Sequence, residues 1–258
     1  MTAVFDAIGG ALIAFVNEVG RVMILLYEAT FWLFKRPFRF EPLVRQLEFI
    51  GVQSISIIVL TGAFTGAVMA LQSSYAFSLF DANSMIGPAV ALAVTRELGP
   101  VLTALLVAGR CGSSMAAEIG TMRVTEQIDA LTVMAVNPVQ YLVVPRLLAA
   151  TIMIPLLTVI ADTLAVVGAM VVSNLLLDIS PRLFYDSVIS YVDLDDFTNG
   201  LIKATFFGAI VALVSSYKGY HATRGAEGVG RATTEAVVVS SVAVLISDYF
   251  LTAILFNT

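Results

Sequence analysis

An all-α integral membrane protein is the fold class that the sequence predicts: five transmembrane helices behind an N-terminal interfacial amphipathic helix. Three observations predict it. Of the 258 residues, 59% are hydrophobic and only 13% are Asp, Glu, Lys or Arg, where a soluble domain carries roughly 25% charged residues. Mean hydropathy is +0.92, which leaves too little polar surface to coat a water-soluble globule of this size. Apolar stretches of about 20 residues or more, enough to cross a bilayer and broken by at most two charges each, recur along the chain.

The first element is residues 5–34, within an N-terminal region 1–39. Glu18, Arg21 and Glu28 fall on one helical face, while Phe15, Val22, Leu25, Leu26, Trp32 and Phe34 populate the rest. Such a helix suits the interface plane better than a crossing, although a sixth, poorly hydrophobic span stays open. The remaining residues, 40–258, hold the spans. No charge occurs from Phe49 to Phe80, the first span. After a tight connection at Asp81–Ser84, a second span over 85–109 is interrupted by Arg96-Glu97 and Gly99-Pro100. The stretch 110–146 is mixed, and within it Val124, Ile128, Leu131 and Ala135 share one face of a short amphipathic helix that Asn137-Pro138 stops. Residues 147–177 form the third span, with Asp162 inside it. Residues 178–196 are acidic. The fourth span is 197–217, with Lys203 inside; 218–235 reads as a Gly-rich polar loop; 236–256 is the fifth span, with Asp248 inside.

Lysine and arginine are sorted across these spans. Ten of the fourteen lie at Lys35, Arg36, Arg39, Arg45, Arg110, Arg123, Arg146, Lys218, Arg224 and Arg231, all on one side. The opposite side carries Arg182 among aspartates. The positive-inside rule places the first side in the cytoplasm and the C-terminus outside.

Composition also excludes functions. One histidine (His221) and one cysteine (Cys111) exclude an intrachain disulfide and an all-protein His/Cys zinc site. A net charge of −5 without a basic run argues against nucleic acid. The three lysines follow Phe34, Ile202 and Tyr217, so no Gly-Lys-Ser/Thr phosphate loop exists. Any ATP must be hydrolysed by another chain. The first 34 residues lack a basic n-region and carry Asp6, Glu18 and Arg21, unlike a secretory signal.

Chemistry is expected where charge enters the spans: Arg96, Glu97, Asp162, Lys203 and Asp248, each costing roughly 2.5–3.5 kcal/mol at the bilayer centre. Helix rise puts Arg96 ~16 Å, Lys203 ~9 Å and Asp248 ~12 Å below the outer face, so Arg96, Glu97, Lys203 and Asp248 can meet. Two readings stay open: an ion-pair network that fixes helix packing, or a wet cavity where Arg96 and Lys203 attract an anionic head group. On span one, Met69, Ala76 and Phe80 share a face with Gln72 and Ser73, either an amphiphile path or a tilted helix end. Gly62 and Gly66 allow close helix contact, within the chain or between copies. The 124–135 helix either floats on the membrane or docks on a cytoplasmic partner. Gly225–Thr234 lacks the spacing of a phosphate cradle.

Three separated stretches, in order, resemble the MlaE family of ABC-transporter permeases: Arg96-Glu-Leu-Gly-Pro100, Glu118-Ile-Gly-Thr-Met-Arg-Val-Thr-Glu-Gln-Ile-Asp through Asn137-Pro138, and Gly228-Val-Gly-Arg-Ala-Thr-Thr234. The likeness covers residues 40–258; residues 1–39 are matched only in character. It implies a homodimeric permease of the bacterial inner membrane. Its implied partners are a cytoplasmic ABC ATPase, a STAS-domain subunit and a periplasmic MCE-domain hexamer. The implied substrate is phospholipid moved between inner and outer membranes, in support of outer-membrane lipid asymmetry. No cofactor is implied in this chain, since ATP and Mg belong to the ATPase. The resemblance makes the helix between spans two and three a coupling helix, with Glu118, Arg123, Glu126, Ile128, Asp129 and Leu131 facing the ATPase. It makes Arg96, Glu97 and Lys203 lipid-cavity residues, and the apolar face at Met69, Ala76 and Phe80 is where a path for the tails would start. Asp162 matches no motif. An energy source is reasonable: a two-chain lipid with about thirty methylenes leaving the bilayer unshielded faces over about 20 kcal/mol.

The competing class is an ion-coupled secondary transporter relaying protons through Glu97, Asp162 and Asp248, ranked lower because no inverted repeat is apparent. An intramembrane enzyme is disfavoured by the missing His, Cys and Lys constellations.

Overall fold

The computed structural model describes residues 2–35, 40–223 and 225–255, and the side chains of all of these except 2–8, 11 and 15. Arg36, Arg39 and Arg224 of the charge sorting, the side chain of Phe15 and the last three residues lie outside the described residues. The chain is α-helical, and five helical stretches are long and apolar enough to cross a membrane: Phe40–Ser78, Asn83–Val124, Val139–Leu176, Leu194–Tyr220 and Gly225–Leu255.

Helix α1 (Thr2–Leu33) is not one of the five. It buries one edge, through Leu25 and Ala29, against Val139, Val143 and Tyr217, and leaves Leu12, Met23, Tyr27 and Phe31 exposed. A short α2 (Phe40–Ile50) leads through one tight turn into α3 (Ile55–Ser78).

The second stretch is a single rod of 42 residues, about 63 Å at 1.5 Å per residue. It consists of α4 (Ile86–Ala93), α5 (Gly99–Val107) and α6 (Ser113–Val124), joined by π-helical turns at Val94–Leu98 and Ala108–Gly112. A bilayer's hydrocarbon core is about 30 Å thick, so one end of the rod stands clear of it. The sequence reading interrupts the span at Arg96–Pro100 and ends it at Gly109. Instead the π turns absorb both irregularities, and the helix continues through the charges from Arg110 to Arg123.

Helix α7 (Gln127–Val133) follows a turn in which Glu126 takes a left-handed φ of 60°. Ile128 is buried against Ile119 and Leu142, so α7 is seated on the end of the rod and does not float. The Asn137 side chain accepts from Gln140 N at 3.0 Å and starts the helical turn that leads into α8 (Val144–Leu176).

Two elements depart from the sequence reading. The acidic stretch 178–196 contains α9 (Pro181–Tyr191), started by Ser180, whose hydroxyl accepts from Leu183 N, with Pro181 in the first turn. Phe184 then buries itself beside Ile86 and Val90. The supposed loop 218–235 is mostly helix: α10 (Leu194–Tyr220) and α11 (Gly225–Leu255) are joined by a short turn. Glycine costs a helix only about 1 kcal/mol against alanine, and the Arg231–Glu235 pair at i, i+4 supports this first part of α11.

Helices α3, α8, α10 and α11 pack in sequence, with the rod against α8, α10 and α11. The Gly62/Gly66 pair serves packing within the chain. A Cβ on Gly66 would run into the Ala165 carbonyl of α8, and one on Gly62 into that of Ala161. Gly109 faces open space. Gly66→Ala is therefore expected to destabilise the folded chain by about 1–3 kcal/mol, and Gly109→Ala by less than about 0.5 kcal/mol. Thermal unfolding of the two variants in one detergent measures the contrast.

Candidate functional site

Proline sets the site. Pro100 has no N–H to return to the Arg96 carbonyl four residues earlier. The Val94–Leu98 π turn sits just before it, and Gly99 N reaches back to the Val94 carbonyl instead. Lys203 of α10 donates from Nζ to the Arg96 carbonyl at 3.1 Å, filling the vacancy that proline leaves.

The same ammonium gathers the intramembrane acids. Lys203 Nζ lies 2.7 Å from Glu97 Oε2 and 3.1 Å from Asp248 Oδ1 of α11. Thr252 Oγ1 lies 2.6 Å from the same ammonium, and its single hydroxyl proton goes to the Asp248 carbonyl at 2.9 Å or to Glu97 Oε1 at 3.2 Å. Lys203 is fully buried, Asp248 is one-fifth exposed, and Glu97 has 39% of its side chain exposed. One cation thus ties the rod, α10 and α11 together, with the Glu97 carboxylate at the surface of the cluster.

Arg96 points elsewhere. Its Nη1 lies 3.6 Å from Asp196 Oδ1, and 37% of its side chain is exposed. Asp196 also closes the capping box of α10, accepting from Asp193 N. The sequence-predicted quartet is therefore split: Glu97, Lys203 and Asp248 meet, whereas the Arg96 guanidinium sits at the mouth of α10. Sequence reasoning missed two members. Thr252 was legible one turn after Asp248, and Asp196 as the third acid of Asp193-Leu-Asp-Asp196.

Met69 is half-buried in the cluster containing Val90 and Val94, just before Arg96 on the rod. Ala76 and Phe80 are exposed farther along the chain. Asp162 is buried on α8 against Gly99, with Oδ1 lacking a hydrogen-bond partner among the described residues.

At the other end of the rod, Glu118 pairs with the buried Arg146 at 2.7 Å, and Arg123 with Asp129 at 2.8 Å. Ile128 faces the chain's own core, with Leu131 half-buried beside it; what α7 presents outward is Val133, 88% exposed, and Met134, 65% exposed. Sequence periodicity found the apolar face but not that the chain itself covers it.

The fold and site define a multi-pass membrane protein with a buried charge cluster and a helix projected on one side. The chain belongs to the MlaE permease family: residues 43–254 match the family described as Permease MlaE. It is 46% identical over 250 residues to a probable ABC transporter permease protein of Rickettsia prowazekii, covering 97% of this chain and 96% of that one. A probable ABC transporter permease protein of Synechocystis is 43% identical over 214 residues, 83% and 81% of the two chains. The intermembrane phospholipid transport system permease protein MlaE of Haemophilus influenzae is 38% identical over 253 residues, 98% of this chain and 97% of the relative.

Replacing Lys203 by Met leaves Glu97 and Asp248 facing each other without a cation. The expected loss is about 3 kcal/mol, the low end for a broken buried pair because Glu97 is part-exposed. Lys203→Met combined with Glu97→Gln and Asp248→Asn should recover much of that stability, and thermal unfolding of the two variants tests it.

Proposed function

We propose that the chain is the permease subunit of an ATP-driven transporter moving phospholipids between bacterial inner and outer membranes, in support of outer-membrane lipid asymmetry. In this reading it works as a homodimer in the inner membrane with the α7 side cytoplasmic and the C-terminus periplasmic. A cytoplasmic ABC ATPase uses ATP and Mg, and a STAS-domain subunit and a periplasmic MCE-domain hexamer complete the complex. The name of the Haemophilus relative supports the substrate class, and the absence of a Gly-Lys-Ser/Thr motif supports an external motor.

The observation that carries the reading is the division of labour around Lys203. Its charge is consumed inside the bundle by Glu97 and Asp248, while the part-exposed Arg96 offers a guanidinium at the rim. Guanidinium matches a phosphodiester in geometry and charge. Met69, Ala76 and Phe80 supply the apolar surface for tails, Arg96 and Glu97 meet the head group, and Lys203 acts from behind by neutralising the acids. On the opposite side, Val133 and Met134 are the apolar contacts for the ATPase, with Glu118, Arg123, Glu126 and Asp129 around them and Ile128 and Leu131 holding α7 in place. The ion-coupled alternative needs Glu97, Asp162 and Asp248 in one relay, and Asp162 makes no hydrogen bond to the other two among the described residues.

Two substitutions separate these roles. Met134→Asp is expected to abolish co-purification of an ATPase in mild detergent without loss of folded chain, since Met134 is exposed. Arg96→Gln is expected to lower crosslinking to a photoreactive phospholipid roughly tenfold, the factor for one charge-assisted hydrogen bond, while ATPase co-purification persists. Unchanged crosslinking removes Arg96 from the head-group role.

A further inference from the structure

A second amphiphile-shaped site opens on the α7 side of the bundle, and its far end, at Phe206, Ser247 and Leu251, comes within one turn of the Lys203 cluster. An apolar groove of about 660 Å³ runs between α10 and α11, walled by Phe206, Ile210 and Val214 on one side and by Val238, Val242 and Ile246 on the other. Val19 and Met23 of α1 lie along it. From Phe206 to Lys218 the groove follows α10 for about 18 Å, close to the depth of one leaflet of a roughly 30 Å hydrocarbon core. It opens into a polar pocket of about 450 Å³, and the two share Glu18, Tyr217 and Lys218.

The pocket's charges specify what its polar end takes. Lys218 is paired with Glu18 of α1 and with Glu235 at 2.9 Å. Arg231 spends its Nε on Glu235 at 2.7 Å. Among the described residues its two Nη groups make no hydrogen bond, and its side chain is 82% exposed. Glu227, one turn before Arg231 on the same face of α11, has no ion-pair partner among the described residues. His221 donates Nδ1–H to the Tyr217 carbonyl at 3.0 Å, which leaves Nε2 as an acceptor in the neutral ring. Among the described residues, three carboxylates thus face two fixed cations, leaving one acid in surplus beside one guanidinium with open donors.

From this we propose that the groove and pocket together bind a zwitterionic, amine-bearing phospholipid of the leaflet on the α7 side. The acyl chain lies between α10 and α11, the phosphodiester rests on Arg231, and the ammonium meets Glu227. An anionic lipid without an amine satisfies Arg231 but sets a negative head group against Glu227. A helix of a second copy fills the groove but leaves both charges of the pocket unmet. The Glu18–Lys218 pair makes α1 one wall of the site, which gives this helix a binding role. The proposal rests on the geometry of this groove, and it stands or falls independently of Arg96 and of the substrate reading above.

The test uses the full chain reconstituted in nanodiscs with equal parts phosphatidylethanolamine and phosphatidylglycerol, followed by native mass spectrometry of the lipids retained after mild detergent exchange. Phosphatidylethanolamine is expected to be retained over phosphatidylglycerol. Glu227→Gln is expected to erase that preference. Arg231→Gln is expected to lower retention of both lipids roughly tenfold, the effect of one charge-assisted contact. Both side chains are exposed, so the variants should fold, and Val242→Trp provides a third variant that blocks the groove and should lower retention with the pocket intact. Equal retention of the two lipids by the wild-type chain, unaltered by any substitution, overturns the proposal. So does a disulfide between copies formed by Val242→Cys, which would show a second chain in the groove. Loss of lipid crosslinking at Arg96 with this retention unchanged would implicate the outer site alone.

Discussion

The carbonyl that Pro100 leaves without its usual helical partner is the constraint around which the bundle is arranged. A buried carbonyl without a partner is costly, and so is a buried ammonium; Lys203 and the Arg96 carbonyl remove both costs in one contact. Once Lys203 is drawn into the bundle, Glu97 and Asp248 compensate its charge, and Thr252 takes up their remaining geometry. Rod, α10 and α11, already packed along their lengths, thereby share one ion-pair node. The π turn that accommodates the proline also sets where the two side chains of Arg96-Glu97 point, one toward the α10 N-terminus and one into the cluster.

Function then follows from the two ends of the rod. At the Arg96 end, a guanidinium and a carboxylate stay part-exposed on a charge-balanced base. At the other end, the helix runs past the membrane and carries α7, whose inward face is held by Ile128 and whose tip shows Val133 and Met134. If the Arg96 end binds lipid and α7 meets a partner, as proposed, one continuous helix is a short mechanical route between them. Proline and glycine interrupt its hydrogen bonding without breaking its course.

The five spans were legible because the bilayer imposes a minimum run of apolar residues, and the chain meets that requirement plainly at each one. Helix ends were not, because charge marks the membrane boundary and says nothing about where backbone bonding stops. The rod therefore continues through Arg110 and Glu118, and α11 begins at Gly225 inside a stretch rich in glycine. Helix α9 could have been found from Ser180-Pro181 and the apolar Phe184, had the aspartates around it not dominated the reading. At the site, intramembrane charge singled out Glu97, Lys203 and Asp248 correctly as neighbours. It could not tell that Lys203 would be sealed behind its acids, because sealing depends on Pro100 and Thr252 acting together. The face of α7 was likewise visible as a pattern, whereas its burial on Ile119 and Leu142 is a tertiary fact.

Mapping the peptides labelled by a photoreactive phospholipid, with the chain in its native complex in a lipid bilayer, tests the division between a sealed Lys203 and a lipid-facing Arg96 most directly. Label at the end of α3 around Ala76 and Phe80 and on the rod around Arg96, with none on Lys203, is the predicted result. Label on the Lys203 side chain, or none within reach of Arg96, would contradict it.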